Sequence, residues 1–325
     1  MATTNPPKQP VALIIGASRG IGRQLALSLA QAHYTVVVSA KTTSDASAIP
    51  AAQFPPDPNS PQSTINTVVR EIRELGHTAL ALPCDVRDTA AVTALVDETV
   101  SRLGSLDVLI YNSGAIWWSA VATTPLKRFQ LMQRVNPEGL YAAVAAALPH
   151  FMARQGNRGR VVVVSPPIYS RFFRGKTAYA VGKVGMSVLT KGLAMDFQRM
   201  GEEGKGLSIT SLWPGASIES AATERAVRAD QDVRRDLRKP EIYGDAVLEI
   251  LRAETAVVNG RLLVDEDWLR ERGWGEDDFD RYNVVEGAKP RRIMPRTFPA
   301  LEVEEQDDEG RRVDSVKMRE GRSKL

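Results

Sequence analysis

Short apolar runs alternate along the chain with longer segments in which apolar residues recur every three or four positions. The runs are VALII (11–15), TVVVSA (35–40), TALALPCDV (78–86), LDVLIYNSG (106–114), RVVVVS (160–165), LSITSLWPG (207–215) and GRLLVDED (260–267). Near-continuous hydrophobicity over about five residues predicts strands covered on both faces, as in a parallel sheet. Helical spacing fills the gaps: residues 21–32, 65–76 and 90–104, a long helix ending near Gln155, and a helix carrying Tyr179 on to Met200. Strands separated by helices of ten or more residues predict a single doubly wound α/β sheet with helices on both faces. Residues 42–62 hold five prolines and predict a surface loop.

Composition sets the limits of this domain. Residues 1–10 read as a flexible N-terminus and 11–288 as the folded unit. From Lys289 prolines, arginines and then clustered acids leave few large apolar residues, so 289–325 read as a charged disordered tail. The net charge of +3, from 42 basic and 39 acidic residues, gives no concentrated basic face and argues against nucleic acid. No apolar run is long enough to span a membrane. A single cysteine, Cys84, excludes an intrachain disulfide, and three scattered histidines argue against a structural metal site.

Chemistry enters at the end of the first run. It leads into Gly16-Ala17-Ser18-Arg19-Gly20-Ile21-Gly22, which opens a helix. Glycines there permit a tight turn and close approach of backbone to a pyrophosphate, and the helix N-terminus offers N–H groups to it. The sheet is therefore expected to be of Rossmann type. A cofactor with a free ribose 2′-hydroxyl would want an acid at the end of the second strand. Lys41 stands there instead, with Arg19 in the glycine loop, so the expected cofactor is NADP(H). Tyr179 and Lys183, four apart on a helix, share one face. The lysine is expected to lower the phenol's pKa so that Tyr179 exchanges a proton with a carbonyl or alcohol oxygen.

These motifs, with Asp85-Val86, Asn112-Ser113-Gly114, Asn136 and Pro214-Gly215 in order, resemble the short-chain dehydrogenase/reductases over about residues 10–270. SAKT, PCDVRD, VSPP, LWP and LVDEDWLRERG are similar to the hydroxysteroid dehydrogenase-like protein 2 subgroup, whose members often carry a sterol-carrier domain after the reductase domain; here only a short charged stretch follows. The resemblance implies an oxidoreductase with Tyr179, Lys183, Asn136 and a serine as its catalytic group. It implies a cofactor site built from Gly16, Ser18, Arg19, Gly20, Ile21, Gly22, Lys41, Asp85, Asn112, Tyr179 and Lys183. Asp85 would contact the adenine; read from its position alone it could as well cap a helix or turn.

Departures from the family pattern are Ile15 before the glycine loop, Tyr111 before Asn112, and Pro166 where a second serine is usual. Ser165, rather than Ser170, is expected to serve, moved toward the substrate by the two prolines. Asn136, before Pro137, would order a water leading to Lys183. Trp117, Trp118, Tyr169, Phe172, Phe173 and the segment after Pro214 should border an apolar pocket for a small-molecule carbonyl or alcohol. Arg171, Arg174 and Lys176 read either as a solvated basic loop or as contacts for an acyl-CoA phosphate. Ser323-Lys324-Leu325 reads as an address for the peroxisomal import receptor, with the cytoplasm as the alternative location. A homo-oligomer is expected from the family. A non-catalytic NADP-binding or scaffold protein and a biosynthetic reductase are the alternatives.

Overall fold

The computed structural model describes residues 9–303 and Arg319. Its chain runs through β1 (Val11–Ile15), α1 (Gly20–Gln31), β2 (Thr35–Ala40), α2 (Ile65–Glu74), β3 (Ala79–Pro83), α3 (Thr89–Leu103) and β4 (Val108–Tyr111). There follow α4 (Leu126–Gln133), a π turn (Arg134–Glu138), α5 (Gly139–Met152), β5 (Gly159–Val164), α6 (Thr177–Arg199) and β6 (Leu207–Trp213). The last part holds β7 (Ser217–Ile218), α7 (Glu224–Ala229), β8 (Leu237–Arg238), α8 (Glu241–Arg252), α9 (Thr255–Val258), β9 (Leu262–Val264) and α10 (Asp265–Glu271).

Seven strands pair in parallel in the order β3-β2-β1-β4-β5-β6-β9, and β7 pairs with β8 apart from them. Because β1 is fully buried, alternate residues feed two separate cores. Ala12 and Ile14 join Leu25 and Leu29 of α1, Val68 of α2 and Val247 of α8 on one face. Leu13 and Ile15 join Val92 of α3, Leu140 of α5 and Met186 of α6 on the other. The strand order reverses beside β1, between it and β4, and at such a point the crevice outside the strand ends is left open for a ligand. Among the described residues, no helix is long and apolar enough to cross a membrane.

Two parts of the fold differ from the sequence expectation. Helix α8, which packs its apolar stripe on α1, falls in a stretch assigned no element, although EIYGDAVLEILR has clear helical spacing. The boundary at 288 also moves. Residues 289–303 stay on the domain: Ile293 N–H donates to the Gly215 carbonyl (2.7 Å), and the Arg292 guanidinium donates to both Asp267 oxygens (2.7 and 2.6 Å). Met294 and Phe298 join an apolar cluster with Tyr169 and Tyr179. Five of the fifteen residues of this strap are charged, but three apolar residues and one matched arginine suffice to hold it. Ser323-Lys324-Leu325 lies outside the described residues, as does most of the expected N-terminal segment.

Candidate active site

A single cleft of about 640 Å³ runs across the carboxyl ends of the strands. It collects the glycine loop, Lys41, Asp85, Asn112 and the Tyr179–Lys183 pair, which come from five different places in the sequence.

The glycine loop forms because β1 ends against β4. Gly16 adopts φ +92°, and a Cβ there would lie 2.6 Å from the Ser113 nitrogen. A Cβ on Gly22 would run into the Gly16 carbonyl and approach Asn112 Nδ2 to 2.5 Å. Asn112 Nδ2 donates to that same carbonyl at 2.7 Å, so the asparagine braces the loop. Helix α1 begins without a side-chain cap and without an acid in its first turn, which leaves its positive end to an anion. The Gly20 N–H donates to the Pro58 carbonyl (3.1 Å) and Ser63 Oγ to the Ser18 carbonyl (2.6 Å), so the long loop after β2 folds back onto the glycine turn. A cradle of this shape fits a pyrophosphate.

Lys41, Arg19 and Arg87 line the end of the cleft near β2. Asp85 accepts from the Arg87 backbone N–H (3.1 Å) and Nε (2.8 Å) and pairs with its Nη2. That hydrogen bonding holds the carboxyl down at about 2. Asp88, rather than Asp85, caps α3 by accepting from Ala91 N–H (3.1 Å). Sequence reasoning missed Arg87; a second cation two residues after Asp85 was the available signal.

At the other end Tyr179 and Lys183 stand on the inner face of α6, 2% and 3% exposed. Gly114 has no side chain, which leaves room for Lys183 Nζ 3.4 Å from where a Cβ would sit. Lys183 Nζ donates to the Val164 carbonyl at 2.8 Å. Burial brings its ammonium down to about 7 and pushes the Tyr179 phenol up. The expected lowering of the phenol by the lysine is thus not what the residues of the cleft give by themselves, because desolvation acts on both charged forms. Among the described residues no group hydrogen-bonds the Tyr179 hydroxyl. Its ring packs against Trp118 and Phe172, with centroids 6.2 and 6.1 Å away.

Asn136 is held by the π turn. Pro137 has no N–H to continue the helix, and Gly139 N–H reaches the Arg134 and Asn136 carbonyls instead of Val135. Tyr111, the departure noted before Asn112, satisfies that freed Val135 carbonyl by donating its hydroxyl at 2.5 Å. The Asn136 side chain accepts from Ala115 N–H (2.9 Å) and donates to its carbonyl (3.2 Å), fixing the loop after β4. Each end of its amide thereby makes one bond to Ala115, and one N–H and one acceptor lone pair remain beside them. Tyr111→Phe should cost about 1–3 kcal/mol by orphaning a buried carbonyl. A Cβ at Gly139 would run into the Tyr111 hydroxyl. Gly139→Ala should therefore hurt less in the Tyr111→Phe background than alone; additive losses in thermal denaturation would refute the coupling.

Ser165 does not line the cleft. The strand exit turns tightly, with Ser165 N–H on the Val163 carbonyl (3.0 Å), and the buried hydroxyl accepts from Ser187 Oγ (3.0 Å) beneath Lys183. The two prolines do not carry it toward the substrate as expected, and Ser170 is exposed outside the cleft. Among the expected pocket aromatics, Trp118 lines the cleft, Phe172 and Tyr169 back it, and Trp117 lies under the Arg128 guanidinium. Trp213, Pro214 and Ile293 complete the wall.

Asp265, in the first turn of α10, supports that wall from behind. It is 1% exposed, accepts from Gly215 N–H and Glu266 N–H (both 2.7 Å), and leaves its second oxygen unpartnered. Burial raises its carboxyl to about 7. A folded-state pKa above the unfolded one means the fold retains a proton that the unfolded chain has released. Stability should therefore fall as pH rises from about 4 to about 7. Asp265→Asn keeps an acceptor for Gly215 and removes the ionisation, so its Tm should change by a few degrees less over that window; parallel profiles would count against the assignment.

A glycine cradle at the switch point of a parallel sheet, with a buried tyrosine and lysine at its far end, is the arrangement of a dinucleotide-binding α/β protein. The family model for short chain dehydrogenase matches residues 59–230, and the chain belongs to that family. It is 33% identical over 276 residues to hydroxysteroid dehydrogenase-like protein 2 of Danio rerio, covering 84% of this chain and 60% of that protein. The chain thus spans about three-fifths of that relative's length. A short chain dehydrogenase of Mycobacterium thermoresistibile superposes with a TM-score of 0.72 at 32% identity, over 87% of this chain and 93% of that one. A 7α-hydroxysteroid dehydrogenase complexed with NADH and 7-oxo glycochenodeoxycholic acid gives 0.61 at 25% identity, over 78% and 92%. The family is one of oxidoreductases that bind nicotinamide cofactors.

Proposed function

We propose that this protein interconverts a ketone and a secondary alcohol on an apolar, lipid-like or polyketide-like substrate, using NADP(H), with Tyr179 as acid and base. The observation that carries the reading is the shared cleft: the cradle, the cations Arg19 and Lys41, and the Tyr179–Lys183 pair face one space. The nicotinamide, when bound, supplies a hydride to the substrate carbon or takes one from it. Gly16, Gly20 and Gly22 would admit the pyrophosphate, and Lys41 and Arg19 would meet a 2′-phosphate. Tyr179 delivers a proton to the carbonyl oxygen during reduction and removes it during oxidation. Lys183, with an ammonium near 7, holds or releases a proton at working pH. Trp118, Phe172 and Trp213 keep the reacting centre apolar. The oxo bile acid held by the solved hydroxysteroid dehydrogenase is a ketone of this kind.

The reading is tested by following loss of reduced-nicotinamide absorbance against a panel of apolar ketones. Lys41→Ala should weaken NADPH about tenfold and NADH by less than about twofold, as expected for loss of one charge-assisted contact. Equal loss for both would remove the case for NADP(H). The buried orientation of Ser165 favours a second reading, a protein that binds the cofactor without turnover. Tight NADPH binding with no ketone reduced across the panel would select it.

A further inference from the structure

The mouth of the cleft has a charge pattern that ketone reduction does not require. Between Asp107 and Asp196 the sequence holds eleven lysines and arginines and one acid, Glu138, whereas the whole chain is nearly balanced at 42 to 39. Both segments that border the substrate end, the loop after β4 and the turn before α6, lie in this stretch. Neither contains an acid.

Of the cations on these two segments, Lys176 is the most buried. It sits three residues before Tyr179, on the turn that starts α6. Its Nζ lies 4.1 Å from the Phe172 ring centroid and 5.3 Å from that of Trp118, the two rings that pack on Tyr179. One aromatic layer therefore separates this ammonium from the proton-transfer group. Its partial burial disfavours the charge. Among the described residues no carboxylate lies within ion-pair distance of Lys176, Arg171, Arg174 or Arg128, although twenty such pairs form elsewhere.

A further observation points to what covers this rim. Trp118 is 67% and Ile116 49% exposed on the same loop, so a large apolar surface adjoins the unpaired cations. Aromatic faces attract an ammonium but do not neutralise it. A ligand with an apolar body and an anionic head would cover the rings and meet the charge together.

We propose that the substrate is an anionic amphiphile and that Lys176 reads its anion at the mouth of the cleft, with Arg171 and Arg174 adding to the local field. This rests on the ketone-binding reading of the same site and narrows its substrate class. The anion is a carboxylate or a phosphate on an apolar chain; both match an ammonium. A neutral lipid would leave Lys176 uncompensated, and a cationic one would be repelled.

The test is equilibrium binding by calorimetry, without turnover, of three probes sharing one chain: dodecanoate, dodecanoyl-coenzyme A and the uncharged dodecanoyl N-acetylcysteamine thioester. Wild type should bind at least one anionic probe about tenfold more tightly than the neutral one, with the preference shrinking at high salt. Lys176→Gln should reduce that preference to about twofold or less while leaving the neutral probe and NADPH unchanged, and Lys176→Arg should retain it. Whichever anionic probe leads identifies carboxylate or phosphate as the head. Equal affinity of wild type for all three probes, or a uniform loss in Lys176→Gln, overturns the proposal. Retained anion preference with no ketone reduced overturns the reductase reading and leaves this one standing.

Discussion

Tyr179→Phe is expected to lower ketone turnover by a factor of about a thousand, within the range that a positioned general acid contributes. Cofactor affinity and Tm should stay near wild type. The hydroxyl has no hydrogen-bond partner among the described residues, so removing it orphans no buried group. The ring keeps its packing on Trp118 and Phe172. The change should thus appear in kcat and hardly at all in the fold. Because Ser165 is turned toward Ser187, no hydroxyl from the end of β5 stands ready to replace the lost acid. Residual turnover above a tenth of wild type would mean that another group donates the proton.

Gly22→Ala is expected to abolish measurable cofactor binding and to destabilise the protein by about 1–3 kcal/mol, the usual cost of overpacking. The added methyl would strike the Gly16 carbonyl oxygen. It would also press on Asn112 Nδ2, the group that braces that carbonyl, so no flexible side chain is available to give way. The glycine turn itself must move, and the cradle is lost with it. Gly192, where an added methyl would meet no neighbour within 4 Å, is the control: Gly192→Ala should leave binding intact and match or exceed wild-type Tm. Titration with NADPH beside thermal melts decides the matter, and a Gly22→Ala protein that binds normally would refute the cradle.

What the sequence made legible was local. Five-residue apolar runs, a glycine turn opening a helix and a Tyr–Lys pair at helical spacing each carry their meaning within a few residues. The seven-stranded sheet follows from the runs and from the preference of strand–helix–strand units for parallel pairing. The groups that were misread depend on partners far along the chain. Ser165 is turned inward by a hydroxyl 22 residues away. Tyr111 looked like a departure from a motif, but its meaning is the Val135 carbonyl that a π turn leaves free. Asp265 looked like part of the last strand and instead holds Gly215, 50 residues earlier. The mutual influence of Tyr179 and Lys183 depends on burial, which spacing alone does not report.

The strap at 289–303 has a practical corollary for anyone shortening or fusing this protein. Trimming at the last regular helix, or even at residue 288, would discard Ile293, which both lines the cleft and ties down Gly215. It would also discard Arg292, leaving Asp267 without its two-pronged partner. A version cut there could keep its sheet and its cofactor cradle yet present a substrate pocket with one wall missing. Reporter domains and affinity handles are better attached beyond residue 303 than grafted at the apparent end of the α/β core.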